Sequence, residues 1–160
     1  RTQRAKRAYF DFKTNRYQII IARLIRKIRI MKKTLIILPA YNVEREIYDL
    51  LCNMKNYREN VIIVDDGSTD NTVQVINSLN YNVIRQEKNA GIASVVKTGI
   101  NYAINNGYRN AIFMDADGQH SPKYIDKFLN LIETNYFVVG NRFHINTKAP
   151  DIKLGSNLLA

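Results

Sequence analysis

The chain has little of what a disulfide-knit or metal-knit fold is built from. One cysteine, Cys52, in 160 residues cannot make an internal disulfide or a thiolate zinc cage. That usage suits a reducing, cytoplasmic setting. No run approaches the roughly 20 uninterrupted apolar residues that a membrane-spanning helix needs. The amino-terminal stretch also lacks the long apolar core and small-residue cleavage site of a secretory signal. No internal repeat or low-complexity linker divides the chain. With 46% apolar residues it is not a disordered tail, and its length suits one domain or a piece of a larger one.

Acid is scarce at one end only. Residues 1–30 carry ten Lys/Arg against the single acid Asp11, whereas the other 130 residues carry fourteen bases and thirteen acids. The net charge of +10 therefore belongs to a leader, and the body is close to neutral. Within the leader, Ile21, Leu24, Ile25 and Ile28 recur at helical spacing among Arg23, Arg26, Lys27 and Arg29. Two readings of residues 1–30 stand: a basic amphipathic helix on an anionic membrane surface, or a leader without fixed structure. Tyr9, Phe10, Phe12 and Tyr17 could stack on bases, but no recognised module surrounds them, so nucleic acid is not an expected partner. Folding is expected to begin near Met31-Lys32-Lys33, which makes residues 31–160 the domain.

From residue 34 short apolar runs alternate with longer amphipathic ones. Thr34–Leu38, Val61–Val64, Asn82–Ile84 and Ala111–Met114 read as strands, with Phe137–Val139 as a further one, and their unbroken apolar character suits strands covered on both faces. Helical spacing links Ile47, Leu50, Leu51 and Met54; Val73, Ile76 and Leu79; and Ile92, Val95, Val96, Gly99, Ile100, Ala103 and Ile104. Ser121-Pro122 supplies an N-cap and first-turn proline for a fourth helix through Ile125, Phe128, Leu129 and Ile132. The alternation predicts an α/β fold with a mostly parallel sheet.

Ligands of such sheets gather beyond the carboxyl ends of the strands. Three of those ends are strongly polar: Pro39-Ala40-Tyr41-Asn42-Val43-Glu44, Asp65-Asp66-Gly67-Ser68-Thr69-Asp70 and Asp115-Ala116-Asp117-Gly118-Gln119-His120. In extended backbone Asp115 and Asp117 point the same way with Cα atoms roughly 6.5 Å apart, so two carboxylates can address one cation and its bound phosphates. Hard oxygen donors suit Mg²⁺ or Mn²⁺. An isolated Asp-x-Asp is more often a polar turn. Here an apolar strand drives two like charges to its tip, where a cation would relieve their repulsion.

These segments, with Asn89-Ala90-Gly91 and Gly140-Asn141-Arg142-Phe143, resemble the family 2 glycosyltransferases of GT-A fold, and in particular the dolichyl- and polyprenyl-phosphate sugar synthases. The matches follow family order over residues 34 to 158. The resemblance implies a Rossmann-like GT-A sheet flanked by helices, which in the family continues beyond residue 160. It further implies an inverting, metal-dependent transfer from a UDP- or GDP-sugar to a lipid-phosphate or glycan acceptor in cell-envelope glycan synthesis, with a place at the cytoplasmic face of the membrane. Residue by residue, Pro39, Ala40, Tyr41, Glu44 and either Asp65 or Asp66 would hold the nucleoside, and Asn89 and Gly91 the phosphates or sugar. Asp115 and Asp117 are the implied catalytic and metal carboxylates, Gln119 a further candidate ligand, and Arg142 a phosphate partner. The pattern departs at Val43, where relatives often carry Glu, at Ile92, and at Lys153, where Arg is frequent. Outside these motifs, Cys52 reads as core, Lys97 as a solvated helix face and His120 as a solvated or supporting group.

Overall fold

The computed structural model describes residues 16–132 together with Val138 and Gly140. The expected strand Phe137–Val139 and the candidate Arg142 lie outside the described residues, as does the leader before Arg16. The elements are α1 (Arg16–Met31), β1 (Thr34–Ala40), α2 (Ile47–Asn53), β2 (Val61–Asp65), α3 (Thr72–Ser78), β3 (Asn82–Arg85), α4 (Ile92–Asn105), β4 (Asn110–Phe113) and α5 (Ile125–Ile132). Short 3-10 turns at Lys55–Asn60 and Pro122–Tyr124 precede β2 and α5.

The four described strands form one parallel sheet in the order β3-β2-β1-β4. The chain thus steps outward from β1 through β2 to β3, then returns to β4 on the far side of β1. That reversal makes the carboxyl ends of β1 and β4 a topological switch point, the place where a parallel sheet opens a crevice.

Alternation along the strands builds two cores. Ile36, Leu38, Val61, Ile63 and Ile112 join Ile47, Leu51, Ile76, Ile125 and Leu129 on the face covered by α2, α3 and α5. Leu35, Ile37, Ile62 and Val64 meet Val95 and Ala103 of α4 on the other. The two central strands, β1 and β2, are therefore covered on both faces as expected, whereas the outer strands are covered only in part: Asn82 and Arg85 of β3 and Phe113 of β4 are exposed, because each outer strand has a described neighbour on one side only. A Cβ at Gly99 would lie 2.6 Å from Ile37 Cγ2, so glycine lets α4 sit directly on β1. The helical spacing expected for α4 overstates its buried stripe: Val95, Gly99 and Ala103 are buried, while Ile92, Ile100 and Ile104 are exposed.

The start of the fourth expected helix also differs. Ser121 makes no side-chain capping bond, and Pro122 opens a 3-10 turn rather than the α-helix. The tighter turn is a common way to enter a helix, and here it is closed by the Tyr124 N–H donating to the Ser121 carbonyl at 3.2 Å.

The basic segment is continuous with the body. Helix α1 runs to Met31, two residues follow, and β1 begins. Ile30 and Met31 pack against the first core, and the Thr34 hydroxyl donates to the Ile30 carbonyl at 2.8 Å. Lys27 Nζ meets Asp126 Oδ2 of α5 at 2.6 Å, and the Tyr57 hydroxyl donates to Asp126 Oδ1 at 2.8 Å.

Candidate functional site

The polar segments after β1 and β2 are stitched together by reciprocal hydrogen bonds. The backbone N–H groups of Asn42, Val43 and Glu44 donate to Ser68 Oγ, Thr72 Oγ1 and Asp70 Oδ2 at 2.9, 2.9 and 3.2 Å. In return the N–H of Thr69 donates to Asn42 Oδ1 at 2.9 Å and that of Asn71 to Glu44 Oε2 at 3.0 Å. Each short polar side chain satisfies a backbone donor that no helix or strand would otherwise pair. Asn42 takes a left-handed φ of 50°, a region asparagine tolerates better than most residues. Burial pushes the Asp70 carboxyl up, but hydrogen bonds from Thr72 and from the Glu44 N–H outweigh it and hold the group below the usual carboxylate range.

The two aspartates that end β2 have distinct surroundings. Asp65 is fully buried, takes the Ser68 N–H at 3.1 Å and a short hydrogen bond from the Ser68 hydroxyl, and lies 3.5 Å from Arg85 Nε. Arg85 stands opposite it in the β2–β3 register and donates through Nη2 to the Ser68 carbonyl at 2.9 Å. Asp66 is 5% exposed, and its two oxygens take the N–H groups of Ala90 and Gly91, each at 2.9 Å. Thus Asp65 fastens the loop on its own strand, and Asp66 fastens the loop that leads into α4.

Gly67 explains why that junction is tight. Its φ is +75°, and a Cβ there would fall 2.7 Å from the Lys88 carbonyl carbon, so the chain before Asn89 passes directly over it. Gly91, with φ +83°, turns the chain into α4 and has open space where a side chain would stand. Asn89 is exposed beside it, and Asn89 Oδ1 also accepts the Gly91 N–H at 3.2 Å.

The third corner leaves β4 earlier, at the level of Ile37, where the Met114 N–H donates to the Ile37 carbonyl at 3.1 Å. Asp115 and Asp117 are exposed on either side of Ala116, which is 1% exposed. The period of two expected of an extended segment is thus present, with both carboxylates turned to solvent. The Asp115 N–H donates to His120 Nδ1 at 3.0 Å, while Asp117 Oδ1 accepts the Gln119 N–H at 2.9 Å. Gly118 turns at φ +76°, and a Cβ on it would lie 4.0 Å from Glu46 Cβ at the foot of α2. The aspartate corner therefore adjoins the one that starts at Pro39.

Among the expected donor-site residues, Tyr41 is 45% exposed, Pro39 half-buried and Ala40 buried. Glu44 is half-buried and bonded across to Asn71. Tyr41, Asn89, Asp115, Asp117 and Gln119 thus present side chains outward around a frame closed by Asp65, Asp66 and Glu44. Two carboxylates suit a cation that completes its shell with water and phosphate oxygens. Among the described residues no group of three or more His, Cys, Asp or Glu forms a ready-made cage. Sequence reading did not single out Arg85, Ser68, Asp70 or Thr72. Motif placement offered a signal for Ser68 and Asp70, whereas Thr72 lies beyond the motif and Arg85 is recognisable only once β3 is laid beside β2.

Residues 35–159 match the family model described as Glycosyl transferase family 2. The chain belongs to that family. It is 36% identical over 127 residues to the UDP-N-acetylglucosamine--dolichyl-phosphate N-acetylglucosaminyltransferase of Methanococcus voltae, an alignment covering 67% of this chain and 51% of the relative. It is 28% identical over 126 residues to the polyprenol monophosphomannose synthase of Mycolicibacterium smegmatis, covering 72% of this chain and 47% of the relative. The chain therefore spans about half the length of these relatives. Glucosyl-3-phosphoglycerate synthase from Mycobacterium tuberculosis, solved with uridine diphosphate, superposes with a TM-score of 0.51 at 18% identity over 64% of this chain and 40% of that one. That likeness shows the shared GT-A fold. No helix among the described residues is long and apolar enough to cross a membrane.

Proposed function

We propose that this family 2 chain carries the donor-binding part of an inverting glycosyltransferase that moves a sugar from a nucleoside-diphosphate carrier to a polyprenyl-type lipid phosphate in cell-envelope glycan synthesis, at the cytoplasmic face of a membrane. The observation that carries the reading is the pair of outward aspartates, Asp115 and Asp117, set beside the Pro39–Glu44 corner at the switch point of the sheet. The named activities of the relatives from Methanococcus voltae and Mycolicibacterium smegmatis support the same class of acceptor.

In this reading Tyr41 provides an exposed ring for the base, with Pro39 and Ala40 shaping the floor beneath it. Asp66 holds the backbone at Ala90 and Gly91, and in this reading Asn89 and the entry to α4 would take the phosphates and sugar. Asp115 and Asp117, with Gln119 as a further candidate ligand, would hold Mg²⁺ or Mn²⁺. A divalent ion there supplies positive charge where the departing diphosphate gathers negative charge. Through its Nδ1, His120 orients the backbone that carries Asp115. Arg142 is a candidate partner for a phosphate of donor or acceptor. A lipid phosphate, with a second pKa of about 6, is already largely ionised at neutral pH and needs no strong base to attack the anomeric carbon.

The test is transfer by the full-length protein of radiolabelled sugar from UDP- and GDP-sugars to a polyprenyl phosphate in detergent, with Mg²⁺ or Mn²⁺. Labelled lipid from one donor class is the expected result, lost in Asp117→Ala. Absence of product with every donor, or full activity of Asp117→Ala, overturns the proposal.

A further inference from the structure

Helix α1 is turned inside out relative to an ordinary surface helix. Ile20, Ile21, Leu24, Ile25 and Ile28 fall at spacings of one, three, one and three, which place them on one stripe. All five are 50 to 60% exposed. The side that meets the body carries Lys27, bound to Asp126, and Ile30, packed on the core. A helix that serves only the domain would bury its aliphatic stripe and show its cations. Here burial of the stripe requires something outside the described residues.

The charge around the stripe says what that something is. No acid occurs between Asp11 and Glu44, and Arg23, Arg26, Arg29, Lys32 and Lys33 border the apolar face or follow it. Beside α1 a cleft of about 690 Å³ is lined by Ile25, Arg26, Arg29, Ile30, Lys33 and Arg109 among others, with no carboxylate among the described residues of its wall. Lys33 and Arg109 stand at the amino-terminal ends of β1 and β4, the end of the sheet opposite the aspartate corner. A second copy of the chain would bring cations against cations along α1. Nucleic acid would answer the charge and leave the aliphatic stripe in water. An anionic bilayer surface answers both, taking the stripe below the headgroups and pairing lipid phosphates with the flanking Arg and Lys.

We infer that α1 is an interfacial docking helix for an anionic membrane, entering by Ile20, Ile21, Leu24, Ile25 and Ile28 and seating phospholipid headgroups against Arg29, Lys33 and Arg109. Its functional sense rests on the lipid-acceptor reading: the helix would tether the domain to a membrane, with the aspartate corner at the other end of the sheet.

The test is sedimentation of the full chain with vesicles of phosphatidylcholine alone or mixed with phosphatidylglycerol, in low and high NaCl. The probe variants are Leu24→Glu/Ile28→Glu, on side chains already exposed, and Arg29→Gln/Lys33→Gln. Wild type should pellet with the anionic vesicles, less so in high salt, and each double variant should bind about tenfold or more weakly. Thermal melting confirms that the variants fold, and stabilisation by nucleotide sugar with metal should be equal in all three proteins. Wild type that stays in the supernatant, or Leu24→Glu/Ile28→Glu that pellets as well as wild type, overturns the inference. So does a wild-type dimer that the same variant converts to monomer, or tighter capture by an oligonucleotide than by vesicles. If donor stabilisation is missing from wild type while the vesicle result holds, the failure belongs to the sugar-transfer reading alone.

Discussion

The carboxylate of Asp66 accepts the backbone N–H groups of Ala90 and Gly91, both at 2.9 Å, and so joins the end of β2 to the start of α4. Gly67, next in the chain, lies under Lys88 with no space for a side chain. One residue supplies the bond and its neighbour supplies the clearance. Asp66→Ala should lower stability by about 2 kcal/mol, the scale of hydrogen bonds to a charged acceptor left unmade. Gly67→Ala should destabilise as well, through strain at positive φ and a clash with backbone. Both should also weaken donor binding, measured by calorimetry, more than equal destabilisation by a core substitution does.

Asp65 is the more deeply committed of the pair. It is fully buried between Ser68 and Arg85, so Asp65→Ala removes an acceptor for two donors and leaves Arg85 facing an empty position. We expect a loss of about 3 kcal/mol by chemical denaturation, with Arg85→Ala costing less because its side chain is 57% exposed. Equal effects of the two substitutions would contradict this ranking.

Acid should loosen the attachment of α1. The hydrogen bond from Lys27, opposed by burial and helped by the hydrogen bond from Tyr57, holds the Asp126 carboxyl below its ordinary 3.8. Burial, aided by Asp126, pushes the Tyr57 hydroxyl up to about 12, so tyrosine stays a donor at neutral pH. A depressed carboxylate contributes stability that is fully present above its unfolded pKa and is lost as pH falls through the folded one. Stability should therefore drop as pH falls below about 4, and Asp126→Asn should flatten that part of the profile while lowering stability at pH 7. Melting curves of both proteins across acid pH are the check.

Much of this architecture was legible beforehand, for physical reasons. Strands buried on both faces read as unbroken apolar runs, so Thr34–Leu38 and Val61–Val64 announced β1 and β2. The polar corners stood out because short acceptors crowd where strands stop. Alternation about Ala116 put Asp115 and Asp117 in solvent together, as their spacing required. Which aspartate of Asp65-Asp66 faces which neighbour was not legible, since that depends on β3 lying beside β2. Helical spacing in α4 could mark an apolar face but not how much of it the sheet would cover, hence the exposed Ile92, Ile100 and Ile104. The entry to α5 was misjudged because Ser-Pro serves a 3-10 turn as readily as an α-helix.

The central claim is that Asp115 and Asp117 together hold a divalent cation for a nucleoside diphosphate. The most direct measurement is calorimetric binding of UDP and GDP to the chain, with Mn²⁺ and with chelator, for wild type, Asp115→Asn and Asp117→Asn. The account predicts binding of one nucleotide that depends on Mn²⁺ and falls at least about tenfold in each variant, with unchanged melting temperatures in the absence of ligand. Binding of equal strength with chelator present, or undiminished in both variants, would contradict it.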